Sequence, residues 1–241
     1  MAKKENNKVR HIRPRVEGEL LRKEGDDPLD SWRIFKIMSE FVEGFEMIRK
    51  YKKAVTFFGS ARCGLDDEIY EEANKLSRLL SKDGFAVITG GGPGIMEAAN
   101  SGAFQAGGKS VGLNIEMPIG EGHNTAVHDS FNFHYFFTRK VMLTFASEAY
   151  IYFPGGFGTL DELFELMTLV KTGKIRHIPI ILYGKEFWSP LLKWFDESLL
   201  IKHQTISESD TKIYTLVDSV EEAHEVISKK VYEYCSKDGA C

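Results

Sequence analysis

Two hydrophobic periods run along this chain. Between Trp32 and Ile48, the large apolar residues Trp32, Phe35, Ile37, Met38, Phe41, Val42, Phe45 and Ile48 recur at helical spacing, behind an N-cap offered by Asp30-Ser31. Short apolar runs of strand length follow: Ala54–Phe58, Phe85–Thr89, Ser110–Ile115, Phe131–Phe137, Ala149–Phe153 and Pro179–Gly184, with a last short strand near Ile213-Tyr214. Helical patterns lie between them, from Asp66-Asp67 to Lys82, Ile95 to Gln105, Arg139 to Glu148, Leu163 to Val170, Trp188 to Leu200 and Ser219 to Tyr234. Strands alternating with helices predict an α/β fold, a single doubly wound, Rossmann-like parallel sheet with helices on both faces. Neither a linker nor an internal repeat divides it. The expected organisation is a polar arm over 1–29, one domain over 30–235 and a tail over 236–241.

Composition narrows the function classes. The chain has 241 residues, 43% hydrophobic and 27% charged, which is ordinary for a soluble globular protein. Its net charge of −4 argues against a nucleic-acid-binding surface. The arm carries Lys3, Lys4, Arg10, Arg13, Arg15, Arg22 and Lys23, and reads as a solvated segment that an acidic partner could also touch. Cys63, Cys235 and Cys241 are scattered, with no CxxC, which suits a reducing compartment without a structural disulfide or zinc site. No apolar run approaches the ~20 residues of a membrane span. The charged N-terminus lacks the apolar segment of a secretory signal. A cytoplasmic protein is expected.

Candidate chemistry gathers at strand ends. In such sheets ligands bind beyond the carboxyl ends of the strands. Three glycine-bearing loops fall there: Gly59-Ser60, Gly90 to Gly94, and Gly155 to Gly158. The last belongs to Pro154-Gly155-Gly156-Phe157-Gly158-Thr159-Leu160-Asp161-Glu162, between a strand and a helix. Unpaired N–H groups and the helix dipole make such a junction a phosphate site. A plainer reading is available, because Thr159-x-x-Glu162 also fits a capping box. Gly108-Lys109-Ser110 resembles the tail of a P-loop, but Ala103 holds the leading glycine position and the element order is reversed. The Gly90 loop fails as a dinucleotide fingerprint because Ile95 stands where the third glycine belongs, which leaves Glu116 without a ribose-binding role. His123, His128 and His134 have no zinc-ligand spacing and read as loop or strand-face residues. No metal and no cofactor is expected.

Arg139-Lys140 opens a helix whose first turns are otherwise apolar. Cations there oppose the dipole unless an anion compensates. Arg139-Lys140 followed by Pro154-Gly155-Gly156-x-Gly158-Thr159-x-x-Glu162 resembles the signature of the LOG ("lonely guy") family, cytokinin riboside 5′-monophosphate phosphoribohydrolases and related bacterial nucleotide hydrolases. The glycine loops and strand order match over roughly residues 54 to 184. The arm and the Trp32 helix depart from compact plant-type members and are similar to the longer bacterial branch. A label often attached to such proteins, lysine decarboxylase, finds no support, since no Schiff-base lysine can be argued from these loops.

The resemblance implies that Gly155, Gly156, Gly158 and Thr159 bind the 5′-phosphate, with Phe157 among the substrate-binding residues. Ser60 and the Gly90–Gly94 loop, with Gly91 and Gly92, frame the nucleotide. Glu162 and Arg139 form the catalytic pair with Lys140 alongside, and Glu121 and Thr168 touch substrate. The implied enzyme is an N-glycosidase that splits an AMP-like purine, or N6-substituted purine, nucleoside 5′-monophosphate into free base and ribose 5-phosphate. The alternative is a nucleotide sensor or phosphate-cofactor carrier on the same fold, without turnover. The Trp32–Ile48 helix is apolar beyond what one sheet contact demands, and with the resemblance it predicts a homodimer at least.

Overall fold

A computed structural model of the chain describes residues 28–62, 64, 67–116 and 122–238. The expected arm up to residue 27, Cys63, Glu121 and Cys241 lie outside the described residues. The elements run α1 (Pro28–Ile48), β1 (Ala54–Phe58), α2 (Glu68–Lys82), β2 (Ala86–Thr89), α3 (Ile95–Gln105), β3 (Ser110–Ile115), β4 (Asp129–Phe133), α4 (Phe136–Phe145), β5 (Ala149–Tyr152), α5 (Phe157–Lys171), β6 (Ile180–Tyr183) and α6 (Lys185–Trp194). A π-helical segment, Phe195–Lys202, continues α6, and β7 (Tyr214–Val217) and α7 (Val220–Asp238) close the chain.

All strand pairings are parallel, in the order β4-β3-β2-β1-β5-β6-β7. β1, β2, β5 and β6 are buried along their whole length, which is why they read as unbroken apolar runs. Successive strand residues face opposite sides. Val55, Phe57, Ile151 and Phe153 join Leu76 of α2, Ile95 of α3 and Ile227 of α7 in one core. Phe58, Tyr150 and Tyr152 join Met142 of α4, Leu163 of α5 and Trp188 of α6 in the other. The sheet is therefore doubly wound, as expected.

Four boundaries differ from the sequence reading. α1 begins at Pro28, two residues before the expected Asp30-Ser31 cap. Proline is at home at a first helical position, where its fixed φ suits the turn and its missing N–H is not needed. β4 ends at Phe133 and α4 begins at Phe136, so the aromatic run Phe131–Phe137 is split between them. Pairing stops there because a carboxylate from α1, Glu40, takes the next two amides. α5 starts inside the glycine motif, at Phe157. The stretch expected as one uniform helix over 188–200 changes from α to π at Phe195, a difference in hydrogen-bond step that apolar spacing does not resolve.

The strand order reverses at β1, which lies between β2 and β5. At that switch point the backbone is knitted together. Ser60 N donates to Pro154 O at 3.0 Å, and Ile95 N, the first residue of α3, donates to Ser60 O at 3.0 Å. One residue thus ties the exits of β1 and β5 to the start of α3.

Candidate functional site

The loop leaving β2 needs glycine for identifiable reasons. Gly91 has φ +70°, and a Cβ there would meet Asn114 Oδ1. A Cβ on Gly90 would stand 2.2 Å from Arg139 Nη2. A buried amide network holds this loop from outside. Asn124 N donates to Gly91 O and Asn124 Nδ2 to Gly92 O, both at 2.9 Å. Asn124 Nδ2 also reaches Asn100 Oδ1, which accepts from Thr89 Oγ1, while Asn100 Nδ2 donates to Ser110 Oγ. Thr89, Asn100, Ser110 and Asn124 were not singled out by sequence. Their only signal is a polar side chain repeatedly placed in an apolar context.

Arg139 is the fourth residue of α4, not its first, and its charge is met by backbone instead of an anion. Its Nε donates to Leu113 O at 2.6 Å and its Nη2 to Gly90 O at 3.2 Å. The guanidinium thereby joins the ends of β3 and β2. Burial lowers its pKa, and the field of Glu162 opposes that.

Lys140, the next residue, turns toward α5. Its Nζ lies 2.7 Å from Glu165 Oε2, 2.8 Å from Asp161 Oδ2 and 3.4 Å from Glu162 Oε1. Burial acts to lower the Lys140 pKa, but the three carboxylates outweigh it and the net shift is upward. Glu162 has a side chain 11% exposed. Burial pushes its carboxyl up to about 7, against the pull of Lys140 and Arg139. A carboxyl with that pKa exchanges a proton readily near neutrality, which is what a general base requires. Lys140 is the cation that touches Glu162, and Arg139 acts on it through its field. Asp161 and Glu165 were not anticipated, although Glu165 stands three residues from Glu162 and four from Asp161, spacings that make neighbours on a helix surface.

The capping-box reading does not survive. Gly156 is the N-cap of α5 and makes no side-chain cap bond. Thr159 is the third helical residue, buried, with its side chain against Gly155, where a Cβ would come within 2.1 Å of Thr159 Oγ1. Glu162 points to Lys140 instead of back to the helix start.

Gly156 and Gly158 are different from Gly155. A Cβ at either would meet nothing within 4 Å, and neither has a positive φ. The protein's own packing does not explain these two glycines. They leave clear space against the backbone at the start of a helix, where N–H groups lack intrahelical partners. Phe157 between them is 92% exposed.

The structure therefore brings together Ser60, the Gly90–Gly92 loop and the Gly155–Thr159 motif along one sheet edge, with Arg139 against the Gly90 loop and Lys140 and Glu162 between α4 and α5. It does not bring Thr168 to them. Thr168 donates to Phe164 O and, with Phe164, Met167 and Lys171, lines a separate apolar pocket against Phe195 and Tyr214. His128 packs at a tilt against Phe104 and His134 contacts Glu116, so these two histidines have separate partners.

Comparison with known proteins adds an independent line. Residues 96–227 match a family model described as possible lysine decarboxylase. The chain is 30% identical over 206 residues to a cytokinin riboside 5′-monophosphate phosphoribohydrolase of Arabidopsis thaliana, spanning 78% of this chain and 93% of that one. The enzyme of that name from Rhodococcoides fascians is 28% identical over 156 residues, 62% of this chain and 77% of its own. Among solved structures, the molybdenum cofactor binding protein of Rippkaea orientalis superposes with a TM-score of 0.57 at 21% identity, over 74% of this chain and 96% of that one. The molybdenum cofactor carrier protein of Chlamydomonas reinhardtii gives 0.54 at 20% identity, over 75% and 99%. These two likenesses establish the shared fold.

Proposed function

The chain belongs to the LOG family, and on that premise we propose that it hydrolyses the N-glycosidic bond of a purine nucleoside 5′-monophosphate, releasing free base and ribose 5-phosphate. AMP or an N6-substituted, cytokinin-type AMP is the substrate of this reading. The observation that carries it is the buried Glu162 carboxylate, contacted by Lys140, on the first turns of the helix whose start is cleared by Gly156 and Gly158. A binding protein has no use for a half-ionised carboxyl beside a phosphate, whereas a hydrolase has.

The chemistry follows from these groups. The backbone amides at the α5 start hold the 5′-phosphate and so fix the ribose relative to Glu162. As the bond from C1′ to the base nitrogen breaks, its electron pair leaves with the base and positive charge builds on the ribose. The Glu162 carboxylate stabilises that charge and takes a proton from the attacking water, whose oxygen bonds to C1′. The departing base takes up a proton from solvent, and Glu162 gives the proton it took from water back to solvent, which restores the carboxylate, with Arg139 orienting the nucleotide. Lysine decarboxylation does not fit: Lys140 is surrounded by carboxylates that hold its amine protonated, and Schiff-base formation requires the neutral amine.

The same reading includes a cytoplasmic homodimer formed through α1. No helix among the described residues is long and apolar enough to cross a membrane. The outer face of α1 shows Trp32, Phe35, Met38 and Val42, each 56–71% exposed, at helical spacing. The test of the function is incubation of the pure protein with AMP and with N6-substituted AMP, following release of base. Free base and ribose 5-phosphate in equal amounts are expected. Nucleotide binding without release of any base from either substrate would return the chain to the class of nucleotide-binding proteins.

A further inference from the structure

Glu40 is a carboxylate only 5% exposed, on the inner face of α1 and far in sequence from the site. It accepts from His134 N at 2.9 Å, from Tyr135 N at 3.3 Å and from Thr138 Oγ1 at 2.6 Å. These groups lead into and form the first turn of α4. Tyr135, the residue in the N-cap position, makes no side-chain cap bond of its own. A serine or aspartate there would accept from the amides of Phe137 and Thr138 inside the first turn. Glu40 instead takes the two amides just before the helix and the Thr138 hydroxyl, so the tie comes from another helix, as a buried carboxylate held by three hydrogen bonds beside a positive helix end. One turn further along α1, Gly44 lets the two helices meet closely, since a Cβ there would stand 2.7 Å from Met142 Cγ. The residue after Thr138 is Arg139.

We propose that Glu40 is a positioning residue for the reaction: its bonds to the start of α4 set where Arg139 and Lys140 stand relative to Glu162. This rests on the function proposed above. The far end of the arrangement is fixed by Leu113 O and Gly90 O on Arg139, so α4 is held at its start by α1 and at its first cation by the sheet. Lys140 reaches Glu162 from that doubly fixed turn. Glu162 is faced by Arg139 and Lys140 of α4, by Asp161 and Glu165 of its own helix, and by Tyr150 and Tyr152 of β5. Moving α4 moves the two cations and leaves the others in place.

The test is the titration of the Glu162 carboxyl, followed by carbon-13 NMR with assignment by Glu162→Gln, in the wild type, Glu40→Gln and Lys140→Met. It requires no turnover. Removing a negative charge at position 40 would by its field alone lower the Glu162 midpoint, whereas loss of Lys140 from its place raises it. We expect Glu40→Gln to raise the midpoint toward that of Lys140→Met, and to raise it less in the Lys140→Met background, where only Arg139 is left to be displaced. In turnover assays the same variant should lose kcat by about 10-fold, with KM for AMP within about twofold, because the phosphate loop lies on α5. Glu40→Asp, which keeps the charge on a shorter stem, serves if Glu40→Gln does not fold. A midpoint that is unmoved or lower, with only the melting temperature reduced, makes Glu40 a purely structural cap and overturns the proposal. Absence of base release by the wild type would instead overturn the proposed function, with the titration still deciding the role of Glu40.

Discussion

Lys140 Nζ lies 3.4 Å from Glu162 Oε1, yet its shorter contacts go to the flanking carboxylates Asp161 and Glu165. One cation is shared among three acids, so none is fully neutralised. Glu162, the most buried of the three side chains, carries the raised pKa. It can be ionised near neutrality without being locked in a tight ion pair, and that is the property a reacting carboxylate requires.

Replacing Glu162 by Gln removes the charge and keeps the shape. A loss of at least ~10²-fold in kcat is expected, with AMP affinity retained because the proposed phosphate site is made of backbone groups. Arg139→Ala should also lower turnover, and the double variant should be much less than multiplicatively worse. Steady-state kinetics with calorimetric AMP titrations checks this. Near wild-type turnover in Glu162→Gln would remove the residue from the mechanism.

In the proposed mechanism the active form of Glu162 is the ionised one, and burial pushes its carboxyl up to about 7. The free enzyme's kcat/KM should therefore rise with pH through about 7 and level off above it. Lys140→Met should move the midpoint upward, since Lys140 pulls it down. The stability term has the opposite slope. A carboxyl raised above its ordinary value of 4.5 favours the fold below that value, and the contribution is lost as pH climbs through about 7. Activity profiles and melting curves measured over the same pH range should thus diverge.

Gly158 occupies the second position of α5 with open space beside it. Gly158→Ala should stabilise the helix, by up to about 1 kcal/mol, while its methyl group intrudes on the phosphate. A higher melting temperature combined with weaker AMP binding is the expected signature. For the same reason adenosine should be a far poorer substrate than AMP at matched concentration. Equal specificity constants for the two would contradict phosphate recognition by this loop.

The outer stripe of α1 predicts association. Light scattering at micromolar concentration should report at least a dimer, and Phe35→Glu with Met38→Glu should shift it toward monomer. A monomeric wild type would refute the assignment of this face.

Much of this was legible in the sequence, and what was not has a common cause. β1, β2, β5 and β6 declare themselves because strands buried on both faces read as near-continuous apolar runs. The glycine motif could be placed at a strand end from its flanks alone. The junction of β4 and α4 could not, because the residue that ends the strand is Glu40, on another helix, and Phe136 and Phe137 look like strand residues while forming a helical turn. Nor could the partners of Arg139 be foreseen, since Leu113 and Gly90 contribute main-chain carbonyls, which leave no trace in side-chain type. The capping-box alternative was a fair reading of Thr159-x-x-Glu162 and fails only because the helix begins at Phe157.

The bond from Ser60 to Pro154 joins two strands that neighbour each other in the sheet but are separated in the chain by three other strands and three helices. Pairings of such long sequence separation form late, after the entropy of closing the intervening loop has been met. During synthesis β1 can align with β2 at once, but must wait for β5 before its other edge is covered. Until then that edge is open to wrong partners. The glycine motif and Glu162 follow β5 directly, so a chain that ends before β5 has neither the sheet's central seam nor the proposed site.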